Sequence, residues 1–159
     1  SARRGLRTCL VEKTIFTGGL ATTGCILFYL PLSDSRGQQV TFGISEELLL
    51  ASIKYGPGDI PDWKNDLKHR YGARFNPASF ILALDEILEN AGIDMWYDTV
   101  ICEAEMEGNK VIGAVVENKS GRGVIKANAF VDASALPTLN ARLEAAFREE
   151  LARQRAAHN

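Results

Sequence analysis

The feature that most constrains the fold of this chain is a short apolar strand that ends in an acid and leads into a glycine-rich loop. Residues 7–11 read RTCLV, and Glu12 follows them directly. Five residues later come Gly18 and Gly19, and apart from Leu20 the side chains are then small or hydroxyl-bearing through Gly24. Glycine lets a backbone approach a flat ring or an anion closely, and the backbone N–H groups can donate to anionic oxygens. The stretch therefore indicates a binding loop behind the end of a strand.

An acid at the end of a strand has a defined role in dinucleotide-binding βαβ units. Its carboxylate accepts hydrogen bonds from the ribose hydroxyls of the adenosine. Glu12 stands in that place, and Thr22 and Thr23 add hydroxyls to the loop behind it. The alternative is that Glu12 is a solvated acid, that Gly18-Gly19 is an ordinary turn, and that both threonines only stabilise that turn.

Two helices are expected in the first part of the chain. The shorter one lies between Gly43 and Gly56. The longer one begins at Asn76-Pro77, a sequence typical of a helix N-cap and first helical position, and it ends at Gly92. Its apolar face has the spacing of a 3.6-residue period and comprises Phe80, Leu84, Ile87, Leu88 and Ala91.

A set of short strands follows the longer helix. Residues 93–105 are expected as one strand, with apolar and polar residues alternating in its second half. Gly108-Asn109 and Ser120-Gly121 are turn sequences, and the next two strands are expected over 111–117 and 123–128. The pattern predicts a three-stranded antiparallel β-meander over about 98–128, and with the helices it places the chain in the α/β class.

An apolar run with polar residues at its end follows the meander. Residues 129–134 read AFVDAS, a pattern typical of a buried parallel strand that presents Asp132 and Ser134 at its C-terminal end. Asp132 can equally be a structural acid at a strand end or a helix N-cap.

Two segments differ in character from the rest. Residues 57–75 are polar and irregular, so we expect a surface loop or a mobile lid there. Residues 135–159 are rich in Ala, Arg and Glu, with apolar residues spaced by four, and this pattern predicts an amphipathic C-terminal helix. We therefore divide the chain into a domain over 1–134 and a helix over 135–159.

The composition is that of an ordinary globular protein. The chain has 159 residues, 46% of them hydrophobic and 24% charged, which suffices for one domain with a core. A net charge of -2 provides no basic field for nucleic acid, and no apolar run reaches the roughly 20 residues of a membrane span. No signal peptide is recognisable. We expect a cytoplasmic protein that acts on a small molecule and has neither a nucleic-acid nor a membrane partner.

No metal site or catalytic constellation is predicted. Cys9, Cys25 and Cys102 have no metal-ligand spacing and lie among apolar residues, so we expect reduced thiols in or near the core. His69 and His158 lie in charged surroundings without a second ligand at helical spacing. No residue is therefore assigned a catalytic role.

Taken in order, these segments resemble the FAD-dependent oxidoreductases of the glutathione-reductase-like FAD/NAD(P)-binding superfamily. Those proteins carry the pattern E-x(5)-G-G-x-[AS]-T after their second strand. The residues in the matching places are Glu12, Gly18, Gly19, Ala21 and Thr22. Further matches are Ala91-Gly92-Ile93, Thr99-Val100, the hairpin at 109–116 and the stretch 131–134. The resemblance covers about residues 2–134.

The resemblance implies a partial Rossmann-like fold with FAD as cofactor. It places Glu12, with Lys13 beside it, at the adenosine ribose. It places Gly18, Gly19, Ala21 and Thr22 along the pyrophosphate and the flavin ring. Val100 would offer backbone hydrogen bonds to the adenine, and the segment from Asp132 to Ser134 would close the site from the far strand. Such enzymes pass a hydride or an electron pair between a substrate and the flavin.

The chain departs from the family pattern at both ends. The family begins with a strand and a G-x-G-x-x-G loop about 20 or more residues before the acid. Here eleven residues precede Glu12, and Gly5 is their only glycine. After Ser134 the family pattern does not continue. We therefore expect a fragment that is truncated in front and joined to a foreign or out-of-frame tail, or a sequence that omits intervening segments.

Two functions follow from these observations. The first is the FAD-binding portion of a flavin-dependent oxidoreductase whose substrate is unknown. The alternative is a non-catalytic α/β module that folds and self-associates without binding flavin. An open sheet edge and an apolar helix stripe both favour a homo-oligomer.

Overall fold

The computed structural model describes residues 1–29, 33–56, 62, 65 and 73–134. The predicted loop or lid at 57–75 lies almost wholly outside the described residues, and the predicted helix at 135–159 lies outside them entirely. The chain divides into two compact units. The first, Ser1–Leu10 with Ile15–Met95, is called the helical unit below; the second, Val11–Thr14 with Trp96–Asn159, is called the meander unit.

Two helices form the core of the helical unit. They are α1, Ile44–Ile53, and α2, Pro77–Asn90. Asn76 caps α2 as predicted, because its side chain accepts hydrogen bonds from the backbone N–H groups of Ala78 at 2.9 Å and Ser79 at 3.3 Å. The buried core consists of Leu49, Ala51, Ile53, Phe75, Phe80 and Ala83.

Two ties outside the core also hold α1 in place. Arg3, in a short 3-10 turn at Ala2–Arg4, donates to both carboxylate oxygens of Glu47. Lys54 and Tyr55, directly after α1, both donate to the carboxylate of Glu86 on α2. The same unit contains a two-stranded antiparallel pair, β2 at Phe28–Tyr29 and β3 at Ala73–Arg74.

The meander unit contains the predicted three-stranded antiparallel sheet. Its strands are β5, Val100–Glu107, β6, Lys110–Asn118, and β7, Gly121–Lys126, in the order β5-β6-β7. Gly108, in the two-residue turn between β5 and β6, has a φ of 57°, a value that glycine adopts without strain. The middle strand β6 is the most buried, at Gly113 to Val116. The α/β class and the antiparallel meander are thereby confirmed.

The single strand expected over 93–105 is wrong, because two strands occupy this stretch. They are β4, Asp94–Trp96, and β5, and between them Asp98 adopts a left-handed φ of 49°. β4 pairs with β1, Cys9–Val11. Asparagine and aspartate tolerate this conformation better than other side chains, so Asp98 can end one strand and redirect the chain into the next.

The prediction of a buried parallel strand at 129–134 is also wrong. The structure assigns no strand there, and the side chain of Val131 is 90% exposed. A buried parallel strand needs hydrogen-bonded neighbours and covering side chains on both faces. Among the described residues no strand pairs with this segment, so its apolar side chains stay in solvent.

Two further sequence expectations have definite outcomes. Cys9 and Cys25 are exposed and Cys102 is only partly buried, so the thiols do not lie in the core. The reason is local: Cys9 is the outward residue of β1, and Cys25 follows the loop in a left-handed conformation with a φ of 53°. No helix among the described residues is long and apolar enough to cross a membrane.

Candidate functional site

The carboxylate of Glu12 is held by the turn that follows β1. Its Oε1 accepts a hydrogen bond from the backbone N–H of Thr14 at 2.8 Å and another from the Thr14 hydroxyl at 3.0 Å. No described residue donates to Oε2 of Glu12. The side chain is partly buried, and the neighbouring Lys13 is exposed. Glu12 is therefore an oriented acceptor with one oxygen still available.

The backbone of this turn is fixed by the connection between β4 and β5. The N–H of Glu12 donates to the carbonyl of Trp96 at 2.9 Å, and the N–H of Thr99 donates to the carbonyl of Glu12 at 3.1 Å. The N–H of Asp98 donates to the carbonyl of Thr14 at 2.9 Å. Since Val100 follows Thr99, the structure brings Val100 close to Glu12, although the two residues are far apart in the sequence.

Val100 lies on an edge strand of the meander sheet and has a partly exposed side chain. It is the first residue of β5, which is an edge strand of the meander sheet, and its side chain is 49% exposed. On one side it pairs with Glu117 of β6. No strand of the described residues pairs with the other side of β5. An edge strand presents some of its backbone N–H and C=O groups away from its one partner strand, and the resemblance assigns such groups of Val100 to the adenine.

The glycine loop lies in the helical unit and has a backbone that requires glycine. Gly18 has a φ of 108° and precedes a 3-10 turn at Gly19–Ala21. A Cβ at Gly18 would lie 2.4 Å from Cγ2 of Thr22 and 3.2 Å from Leu84. The loop therefore has no room for a side chain at its first glycine.

The threonines of this loop are used to build it. The Thr22 hydroxyl donates to the carbonyl of Thr17 at 2.9 Å inside the protein, and the Thr23 hydroxyl donates to the carbonyl of Gly19 at 2.9 Å. Thr22 is buried and Ala21 is partly buried. Gly24 is needed as well, because a Cβ there would lie 2.8 Å from the backbone of Leu20.

Two residues of this region were missed by sequence reasoning. Thr14 is the partner of the Glu12 carboxylate. Thr17 is buried, and its hydroxyl has no hydrogen-bond partner among the described residues. The available signals were the positions of the two hydroxyls: Thr14 stands two residues after the acid, and Thr17 stands directly before the glycine pair. Neither spacing by itself distinguishes a site residue from a turn residue.

The segment after the meander forms a closed turn. Oδ1 of Asp132 accepts hydrogen bonds from the backbone N–H of Ser134 at 2.9 Å and from its hydroxyl at 2.7 Å. Asp132 is partly buried and Ser134 is exposed. These bonds give the two residues a local structural role of the Asx-turn type.

The predicted site residues are thus distributed over the two units. Glu12, Lys13 and Val100 come together in the meander unit, which also contains Asp132 and Ser134. Gly18, Gly19, Ala21 and Thr22 form one loop of the helical unit. In the part of the chain that the structure describes, no group of three or more His, Cys, Asp or Glu side chains could hold a metal. His69 and His158 lie outside that part.

Each unit offers its own chemistry. In the meander unit, a fixed carboxylate suits a ribose diol. In the helical unit, a loop with two adjacent left-handed glycines offers consecutive N–H groups to an anion.

A family model described as FAD dependent oxidoreductase matches residues 1–157. No curated protein matches the chain.

Two solved structures are similar to this chain. The first is THI4 of Thermovibrio ammonificans, with a TM-score of 0.53 and 16% identity over 84% of this chain. The second is a geranylgeranyl bacteriochlorophyll reductase-like protein of Thermoplasma acidophilum, with a TM-score of 0.47 and 19% identity over 79% of this chain. The chain spans 50% and 32% of their respective lengths. The likeness to THI4 shows a shared fold.

Proposed function

This chain belongs to the FAD dependent oxidoreductase family, and from that membership we propose that it is the FAD-binding portion of a flavin-dependent oxidoreductase. The observation that carries the proposal is the Glu12 carboxylate, which is oriented by Thr14 at the end of β1 and lies near the open edge of β5. The cofactor of the family is FAD, and when bound it supplies hydride or electron-pair transfer at its flavin ring. The substrate is not identified.

In this proposal the residues around Glu12 hold the adenosine part of the cofactor. Oε2 of Glu12 accepts hydrogen bonds from the ribose hydroxyls, as the acid after the second strand does in dinucleotide-binding folds. The exposed ammonium of Lys13 adds a positive charge beside this position. The backbone of Val100 hydrogen-bonds the adenine.

The glycine loop holds the charged part of the cofactor. Gly18 and Gly19 both have positive φ, so their N–H groups can point to one side and donate to pyrophosphate oxygens. The small side chain of Ala21 leaves space for the flavin ring. Thr22 stabilises the loop through the hydrogen bond from its hydroxyl to the carbonyl of Thr17. Asp132 and Ser134 would contribute polar groups from the segment after the meander.

The remaining parts of the proposal concern the protein as a whole. We propose a domain over 1–134 with a loop or lid at 57–75, and a separate helix at 135–159. We also propose a fragment of the family fold, a cytoplasmic location and a small-molecule substrate.

A second candidate function is a non-catalytic module that self-associates without flavin. It is favoured by three exposed apolar side chains at alternate positions of the helical unit, called the apolar row below: Val40, Phe42 and Ile44, which are 48%, 64% and 67% exposed. Association with a second chain would remove these side chains from water.

A flavin test distinguishes the two candidates. The purified chain is examined for flavin absorbance as isolated and is then titrated against free FAD, whose fluorescence is quenched on binding. Quenching that saturates supports the FAD-binding function. A folded chain that leaves FAD fluorescence unchanged would contradict it and leave the self-associating module.

A further inference from the structure

The hydrogen bonds of Thr14 leave the Glu12 carboxylate with one engaged oxygen and one available oxygen. Both bonds from Thr14, one from its backbone N–H at 2.8 Å and one from its hydroxyl at 3.0 Å, end on Oε1. Two donors on one oxygen fix the rotation of the whole carboxylate group. Oε2 is then the oxygen that can accept from a ligand.

Thr14 is itself held in place. Its carbonyl accepts from the N–H of Asp98 at 2.9 Å, and Glu12 is bonded through its N–H to Trp96 and through its carbonyl to Thr99. The side chains of Glu12 and Thr14 are both partly buried. The orientation of the carboxylate therefore derives from the connection between β4 and β5, which also supplies Val100.

We propose that Thr14 is a positioning residue: its hydroxyl holds Glu12 so that Oε2 can accept from the ribose hydroxyls of an adenine nucleotide. This inference rests on the proposed FAD-binding function and adds a specific role to a residue outside the glycine motif. An acceptor that is oriented before the ligand arrives loses less conformational entropy on binding. The contribution of Thr14 should therefore appear in affinity for ligands that contain a ribose diol.

The test compares Thr14→Val, which keeps the shape of the side chain and the backbone N–H, with Thr14→Ser, which keeps the hydroxyl. Kd values are measured for FAD by fluorescence quenching and for ADP by competition. We expect Thr14→Val to weaken the binding of both ligands up to about tenfold, because the Glu12 side chain would then be immobilised only when the ligand binds. Thr14→Ser should bind nearly as the unaltered chain. Thr8→Val, which removes an exposed hydroxyl bonded to the carbonyl of Leu6, is the matched control.

A second measurement separates positioning from a general loss of structure. The unaltered chain should bind ADP more tightly than 2′,3′-dideoxy-ADP, and Thr14→Val should lose most of that preference. A purely structural role would weaken both nucleotides equally and would overturn the inference, as would equal FAD affinity of Thr14→Val and the unaltered chain. If Thr14→Val does not fold, Thr14→Ala is measured in the same way.

A double substitution tests whether the two residues act together. In a Glu12→Ala background, Thr14→Val should cause no further loss of FAD affinity, because the group it positions is gone. An additive loss would overturn the inference while leaving FAD binding intact. Absence of FAD and ADP binding by the unaltered folded chain would contradict the proposed function itself, and the inference with it.

Discussion

At the scale of single residues, the glycine loop at residues 18–24 depends on the positive φ of Gly18 and on the Thr22 side chain that packs beside it. Gly18 combines a φ of 108° with a position where a Cβ would meet the Thr22 side chain. Thr22 cannot easily move away, because it is buried and its hydroxyl is bonded to the carbonyl of Thr17. The sequence could predict that this loop needs glycine, since the residue type itself carries that information. It could not predict that Thr22 points into the protein or that Thr14 binds Glu12, because these depend on contacts made after folding.

Replacing Gly18 by alanine should therefore lower the free energy of unfolding more than replacing a glycine that has a positive φ but free space around it. Alanine in a left-handed conformation costs about 1–2 kcal/mol. The contact with Thr22 should add about 1–3 kcal/mol to that cost for Gly18→Ala. The free energy of unfolding is measured by urea denaturation.

Gly5→Ala is the control, because Gly5 has a φ of 79° but no atom within 4 Å of an added Cβ. Equal losses of stability for the two variants would contradict the role of Thr22 in filling the space beside Gly18.

At the scale of elements, the two helices of the helical unit are defined by one buried seam and two exposed ties. Leu49 on α1 is 1% exposed and packs in the cluster that includes Phe80 and Ala83 of α2. The periodicity and caps of α2 were readable from the sequence because they are local signals. The partners of each face were not, since they depend on which elements meet. The same holds for β4 and β5, where the left-handed Asp98 ends a pattern that looks continuous in the sequence.

Because Leu49 lies in the core of the helical unit, we expect Leu49→Ala to lower the free energy of unfolding strongly. Deletion of a buried leucine side chain leaves a cavity and costs about 2–5 kcal/mol. Leu50→Ala, on the same helix at a position that is 42% exposed, should cost much less. The free energy of unfolding of the two variants is compared in urea, and similar values would contradict the assignment of the core face of α1.

The hydrogen bonds of Lys54 and Tyr55 to Glu86, which join the end of α1 to α2, predict that the free energy of unfolding depends on pH. The hydrogen bond from Lys54, and to a smaller extent the one from Tyr55, lowers the pKa of Glu86 below its usual value of 4.5. A carboxyl whose pKa is lower in the folded state stabilises the fold above its unfolded pKa and loses that contribution as pH falls through the folded pKa. Stability should therefore decline as the pH falls below about 4.5.

Glu86→Gln should remove part of this decline, since its side chain carries no charge to titrate. The urea midpoint is measured between neutral and acid pH, and Glu107→Gln, at the exposed end of β5, is the control. An unchanged pH dependence in Glu86→Gln would show that the ion pair contributes nothing in solution.

At the scale of the whole molecule, the chain combines an antiparallel meander with apolar side chains that are exposed to solvent. The turn sequences allowed the meander to be predicted from the sequence, because Gly108 and its neighbours specify a hairpin locally. The segment at 129–134 was mispredicted, because an apolar run reads as buried only if other strands are present to cover it. Val131 is exposed in this structure for that reason.

The exposed apolar row in the helical unit predicts self-association. We expect a mass above that of the 17.4 kDa chain in light scattering. Phe42→Ser combined with Ile44→Ser should shift the population toward the monomer, because it removes two of the three exposed apolar side chains of that row. A monomer at all concentrations tested would contradict this prediction.

The central claim is that Glu12 and its surroundings bind FAD, and the most direct test is a fluorescence titration of FAD with the unaltered chain, Glu12→Ala and Glu107→Ala. The account predicts saturable quenching by the unaltered chain and by Glu107→Ala, which removes an exposed acid outside the site. It predicts affinity weakened about tenfold or more in Glu12→Ala, the loss expected for hydrogen bonds to a charged group. Equal affinity of all three chains, or no quenching by a folded chain, would contradict it.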